Sequence, residues 1–61
     1  RDPEVKFIFF FDDHLENLKM ASKLGWVTIW IHPNYLIYKQ YIYVNLAFPN
    51  IKDALQSMDK I

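Results

Sequence analysis

Residues 5–31 read VKFIFFFDDHLENLKMASKLGWVTIWI, and the order of secondary-structure elements is predicted most clearly from this segment. It contains two apolar runs, residues 5–11 and residues 26–31, separated by a segment with helical periodicity. Consecutive apolar residues rich in aromatic side chains are typical of strands that are covered on both faces. The order strand, helix, strand therefore predicts a βαβ unit with parallel strands and a right-handed crossover.

The helix between the strands is predicted from its periodicity and from signals at both ends. Asp13 and Glu16 have the spacing of a capping box, Lys23 falls in the last turn, and Gly25 supplies a left-handed terminating residue. The apolar residues at helical spacing, with one further apolar residue beside them, are Leu15, Leu18, Ala21, Leu24 and Met20.

The second half of the chain is less regular. The tyrosine-rich residues 35–43 are interpreted as a surface loop that leads into a short strand at residues 41–46. A second helix is predicted after Phe48-Pro49-Asn50, with one apolar stripe that packs in the core: Ile51, Ala54, Leu55 and Met58. The predicted fold class is α/β, the carboxyl-terminal part of a Rossmann-like parallel sheet with the order β-α-β, loop and short strand, α.

Composition indicates a core that more protein should cover. The 61 residues are fewer than the roughly 100–150 of a usual domain, yet 52% are hydrophobic and 18% aromatic. There is no cysteine, so neither a disulfide nor a thiolate zinc site can compensate, and a reducing cytoplasm is expected. Formal net charge is zero, which argues against nucleic-acid binding, and no apolar run approaches the about 20 residues of a membrane span.

Two adjacent carboxylates, Asp12 and Asp13, follow directly after the first apolar run. In parallel α/β sheets the ligand crevice lies outside the carboxyl ends of the strands. Hard oxygen ligands at that place suit Mg²⁺, which is held by one or two carboxylates with water and substrate phosphate. The simpler interpretation of Asp13 is a helix N-cap, but a helix needs only one cap and Asp12 is then unexplained.

Residues 9–31, FFFDDHLENLKMASKLGWVTIWI, resemble the fourth motif of the haloacid dehalogenase superfamily of hydrolases. In that motif an apolar strand ends in Asp-Asp or Gly-Asp, and a helix leads to a glycine and the next strand. The later residues 43–55, YVNLAFPNIKDAL, are similar to the end of the subfamily that includes pyrimidine 5′-nucleotidases. The resemblance extends from about residue 5 to about residue 58.

The resemblance implies a role for each matched position. Asp13 would be the direct Mg²⁺ ligand, and Asp12 would assist through a metal-bound water or by fixing neighbouring groups. Asn17 stands where many relatives carry another acid, so it could only be a neutral partner behind the metal ligands. The implied activity is that of a cytoplasmic Mg²⁺-dependent phosphatase acting on a small phosphorylated metabolite, such as a nucleoside 5′-monophosphate.

The family chemistry also needs residues that these 61 do not contain. An Asp-x-Asp motif should supply the nucleophile, yet none occurs, and Lys39 and Lys52 stand in the wrong context for the phosphate-binding lysine. Residues 1–61 are therefore interpreted as a partial core domain. It would be inactive alone and completed by the remainder of the core and by a cap domain.

Two other classes of protein stay open. A signalling receiver domain also has an acidic pair after a strand and binds Mg²⁺, whereas a non-catalytic interaction module would use the tyrosines to bind a partner and would not respond to Mg²⁺.

His14 is expected to face solvent, and His32 is expected to be a turn residue. Trp26 and Trp30 are expected to share one face and to pack in the core.

Overall fold

A computed structural model describes residues 7–59 of the chain. Within them, a three-stranded sheet has the order β1-β2-β3, and both strand pairs are parallel. The predicted α/β class and the parallel βαβ arrangement are therefore confirmed at this level. The elements along the chain are β1 (Phe9–Asp12), α1 (Leu15–Lys23), β2 (Val27–Ile31), a 3-10 helix (Tyr35–Gln40), β3 (Leu46–Phe48) and α2 (Ile51–Met58).

The two predicted strands differ in how well they are covered. The central strand β2 has Thr28, Ile29 and Trp30 buried. The edge strand β1 is more open, since Phe9 is 47% exposed, so the described residues supply only part of the cover that the sequence predicts for both faces of this strand. Residues 5 and 6 of the predicted first strand lie outside the described residues, and residues 7 and 8 precede β1.

The core lies between α1, β2 and the segment before β3. Leu18, Trp30 and Val44 form its buried cluster, against which Phe10 packs. Trp30 is a core residue as predicted, and the half-buried Trp26 contacts Phe10 with 5.9 Å between ring centroids. These apolar contacts fix α1 against β2 and so position the loop that precedes α1.

The helix α1 is shorter at its end than the periodicity predicts. Lys23 is its last residue and Gly25 adopts a φ of 83°, as expected of the glycine that ends a helix. Leu24 lies beyond the helix and is 64% exposed, so it does not continue the buried stripe. Leu18 and Ala21 are the buried residues of α1.

The tyrosine-rich segment is a 3-10 helix at residues 35–40, not the predicted loop. Tyr35 and Tyr38 lie three residues apart, which is one turn of a 3-10 helix and keeps their side chains on one side of it, and Tyr41 is the extended residue that follows the helix. Tyr38 and Tyr41 pack against the core cluster. The short strand also lies later than predicted, at residues 46–48 and not 41–46, so only Leu46 is common to both.

A polar contact joins β2 to the chain just before β3. The fully buried Thr28 donates its backbone N–H to Asn45 Oδ1 at 2.9 Å and its hydroxyl to the carbonyl oxygen of Tyr43. Asn45 in turn donates its backbone N–H to the Thr28 carbonyl oxygen at 3.0 Å. The Asn45 side chain thereby accepts a hydrogen bond from the buried Thr28 amide at a point where the regular pairing between β2 and β3 has not yet begun.

The second helix, α2, begins where the sequence predicts, but fewer of its apolar residues are buried than predicted. Asn50 caps it by accepting a hydrogen bond from the Asp53 backbone N–H at 2.8 Å. Ala54 is fully buried, whereas Ile51 and Leu55 are 48% and 53% exposed. The prediction that the whole apolar stripe packs in the core is therefore wrong. None of the helices within residues 7–59 has the length and apolar character needed to cross a membrane.

Candidate metal site

The acidic pair lies at the carboxyl end of β1, beside the carboxyl end of β2. Asp12 is the last residue of β1 and pairs in register with Trp30, so their side chains lie on the same face of the sheet. Asp13 and His14 then connect β1 to α1. The Trp30 indole Nε1–H donates to the Asp13 carbonyl oxygen at 3.0 Å and so ties this connection to the buried core.

The Asp12 carboxylate organises the connection. Its Oδ1 accepts the His14 backbone N–H at 3.0 Å, and its Oδ2 accepts the Asn17 side-chain amide at 2.8 Å. The His14 backbone hydrogen bond is the main cause that holds the pKa of Asp12 well below its usual range. Partial burial opposes this effect, and the Asn17 amide adds to it. Asp12 is thus an ionised carboxylate whose two oxygens already have protein donors.

The Asp13 carboxylate is the more open of the two. Its side chain is 62% exposed, against 19% for Asp12, and its Oδ1 lies 2.8 Å from His14 Nδ1. Asp12, Asp13 and His14 each offer one ligand atom, and these three atoms lie within 4.8 Å of one another. The two positions that the sequence predicts as metal ligands are therefore side by side, with Asn17 behind Asp12.

The predicted capping box at Asp13 and Glu16 is wrong. The N-cap residue of α1 is His14, and its side chain makes no capping hydrogen bond. The physical reason is that Asp12 takes the His14 backbone N–H two residues on, which turns the chain one residue later than the capping-box spacing assumes. The Asp13 side chain therefore does not cap α1.

His14 is the site residue that sequence reasoning missed. Its side chain is 73% exposed, as expected, but its Nδ1 lies 3.2 Å from Asp12 Oδ1 and 2.8 Å from Asp13 Oδ1. The hydrogen bond to Asp12, followed by the charges of Asp13 and Asp12, raises the pKa of His14 above the usual 6.5. The available signal was its position two residues after Asp12, where a turn brings side chains together.

A cavity of about 330 Å³ opens beside this group. Two histidines and two carboxylates line it, together with the core residue Trp30. The residues that line it are Asp13, His14, Leu15, Glu16, Trp30 and His32. The arrangement can hold a cation at Asp13 and leaves space above it for a small ligand.

The raised pKa of His14 predicts a measurable titration. In the metal-free protein, we expect NMR to give a His14 pKa above 6.5, and Asp12→Asn or Asp13→Asn to lower it by removing a carboxylate. Because the folded-state pKa is raised, this contribution to stability is complete below the unfolded-state value and is lost as pH rises through the folded-state value. A His14 pKa at or below 6.5 that neither substitution changes would contradict the described contacts.

No protein-family model, curated protein or solved structure matches the chain at a significant level.

Proposed function

We propose that this chain supplies the Mg²⁺-binding corner of a haloacid dehalogenase-like phosphatase, which hydrolyses a small phosphomonoester such as a nucleoside 5′-monophosphate. The observation that carries the proposal is the placement of Asp12 and Asp13 at the carboxyl end of a parallel strand, next to a cavity. Ligands of open α/β sheets bind at that edge. The resemblance of residues 9–31 to the superfamily's metal-binding motif supports the same assignment.

The donor set fits a hard divalent cation. Carboxylate oxygens are ligands that Mg²⁺ prefers, and Mg²⁺ usually keeps several waters beside only one or two carboxylates. Asp13 is the exposed ligand, whereas Asp12 is held by His14 and Asn17 and orients the loop. The imidazole nitrogen of His14 is a less suitable ligand for Mg²⁺. Because His14 Nδ1 contacts both carboxylates, the imidazole would compete with the cation for them.

In the proposed mechanism this chain binds and orients; it does not attack phosphorus. When bound, Mg²⁺ would offset negative charge that develops on the transferring phosphoryl group. Asp13 would hold the cation, and Asp12 would keep the Asp13–His14 connection in place through the His14 N–H. Trp30 would keep the same connection against the sheet by its hydrogen bond to the Asp13 carbonyl oxygen.

The proposal requires a nucleophile that residues 1–61 do not contain. An apolar strand that ends in Asp-x-Asp must come from elsewhere in the protein and lie beside β1 in the completed sheet. In the described sheet β1 is an edge strand, so a further parallel strand could pair with its outer side. Sequencing the coding region around this segment tests the requirement, because an unrelated sequence there would remove the source of the nucleophile.

A receiver domain is the less favoured assignment. It would need an acidic phosphoacceptor at the end of a later strand, close to the acidic pair. In the described part of the chain, β2 ends at Ile31 and is followed by His32, and β3 ends at Phe48 and is followed by Pro49. Neither strand end offers a carboxylate.

The proposal predicts Mg²⁺-dependent hydrolysis of nucleoside 5′-monophosphates by the intact protein. Phosphate release should require Mg²⁺ and should fall at least about 100-fold in Asp13→Asn, since several kcal/mol of charge stabilisation depends on the cation. Asp53→Asn on α2 is the control and should retain full activity, because Asp53 lies in the first turn of another helix. Activity that persists in chelator, or in Asp13→Asn, would contradict the proposal.

A further inference from the structure

His32 lies directly after β2 and lines the same cavity as Asp13. Its imidazole stacks on the Trp30 indole, with ring centroids 4.9 Å apart and an angle of 19° between the planes. Trp30 is only 3% exposed and is hydrogen-bonded to the Asp13 carbonyl oxygen. The His32 ring is therefore placed relative to the acidic loop by a buried side chain that contacts both.

One hydrogen bond determines which His32 nitrogen carries a hydrogen. The Asn34 backbone N–H donates to His32 Nδ1 at 3.0 Å. A backbone amide can only donate, so Nδ1 must present its lone pair, and in the neutral imidazole the hydrogen then sits on Nε2. Nε2 is consequently a hydrogen-bond donor and has no lone pair for a metal ion.

The other histidine at the cavity has the opposite arrangement. His14 Nδ1 faces the carboxylates of Asp12 and Asp13 and donates to them. His14 is thus engaged by the carboxylates of Asp12 and Asp13, whereas His32, which also lines the cavity, carries its hydrogen on Nε2 as a donor. A donor of this kind suits an anionic oxygen.

The charges around the cavity restrict which anion can use this donor. Asp13 and Glu16 also line it, and their carboxylates repel an anion that arrives without a cation. A phosphate oxygen that also contacts a cation held at Asp13 can accept the hydrogen bond from His32, and the cation offsets the repulsion from the two carboxylates. We propose that His32 Nε2–H donates a hydrogen bond to a phosphate oxygen of the ligand and so positions it over the Asp13 site; this inference rests on the proposed function.

The test uses inorganic phosphate as the probe and the intact protein, with and without Mg²⁺. The ¹H–¹⁵N signal of His32 Nε2 is followed during a phosphate titration, and Mg²⁺ affinity is measured separately by calorimetry. His32→Phe keeps an aromatic ring against Trp30 but removes both nitrogens, and His32→Gln restores a side-chain N–H. Leu36→Ala, a largely exposed position on the 3-10 helix, is the control for surface substitution.

In the presence of Mg²⁺, phosphate should shift the His32 Nε2–H signal. His32→Phe should weaken phosphate binding about ten-fold, the usual consequence of losing a hydrogen bond to a charged group. His32→Gln should recover part of that loss, and both variants should keep the wild-type Mg²⁺ affinity. Normal Mg²⁺ binding with equal phosphate affinity in wild type and His32→Phe would overturn the role of His32 and leave the proposed function standing. A protein that binds no Mg²⁺ would instead overturn the proposed function. A His32 Nε2–H signal that phosphate does not shift, either with or without Mg²⁺, would overturn the role of His32. This second result needs only the wild-type protein, so it holds even if His32→Phe does not fold.

Discussion

Replacing Asp13 by Asn should abolish the stabilisation of the protein by Mg²⁺. A ligand that binds only the folded state at about 100 times its Kd raises the free energy of unfolding by about 2.7 kcal/mol. Asn keeps the size of the Asp side chain but removes the charge at the more exposed of the two carboxylates. Thermal unfolding with and without Mg²⁺, at matched ionic strength, measures the difference directly.

The control for this substitution is Glu16→Gln. Glu16 lines the same cavity but does not belong to the group of three ligand atoms that lie within 4.8 Å of one another. Its substitution therefore removes one nearby negative charge and should leave most of the Mg²⁺ effect in place. Equal loss in both variants would mean that Mg²⁺ responds to the general negative charge of the loop and that Asp13 is no specific ligand.

Replacing Leu18 by Ala should lower the free energy of unfolding by about 3 kcal/mol. Leu18 is fully buried on α1 and belongs to the cluster with Trp30 and Val44. Truncation of such a leucine loses the burial of its methyl groups and leaves a cavity that neighbours fill only partly. Denaturant unfolding gives the change, and the loss of α1 packing should also disturb the loop that carries Asp13.

Met20→Ala is the matched control on the same helix. Met20 is 60% exposed, so its truncation should change the free energy of unfolding by no more than about 0.5 kcal/mol. A cost at Met20 similar to that at Leu18 would show that another surface of the protein covers Met20. A negligible cost at Leu18 would contradict the described core.

The first half of the fold could be predicted because its signals are local and agree with one another. The apolar runs, the helical spacing of Leu18 and Ala21, and the glycine after α1 all indicate the same βαβ unit. Coverage could not be predicted, because consecutive apolar residues look the same in an edge strand as in a central one. The exposure of Phe9 and the burial of Ile29 depend on the strand order, which the sequence of either strand does not state.

The second half failed for a different reason. Tyrosines at 35, 38 and 41 repeat every three residues, a period between those of a strand and an α-helix, and the loop interpretation overlooked the 3-10 helix. Just before β3, side-chain hydrogen bonds between Thr28 and Asn45 link positions 17 residues apart. Such contacts become visible only when the two segments are placed side by side.

The candidate site was predictable in position but not in its internal arrangement. Two acids after an apolar strand place Asp12 and Asp13 at the carboxyl end of a sheet. Their different roles come from donors that the loop brings to Asp12, the His14 N–H and the Asn17 amide. His32 was interpreted as a turn residue because Pro33 follows it, and its stacking on Trp30 has no signal in the local sequence.

The most direct test of the proposed metal site is to map a bound ion on the intact protein. Mn²⁺ can replace Mg²⁺ at oxygen ligands and broadens the NMR signals of nearby nuclei, so a titration reveals where it binds. We predict the strongest broadening at residues 12–17 and at Trp30 and His32, which lie beside them, with weaker broadening in α2 and reversal by excess Mg²⁺. Broadening centred elsewhere, or none at concentrations where Mg²⁺ stabilises the protein, would contradict the assignment of Asp13 as the metal ligand.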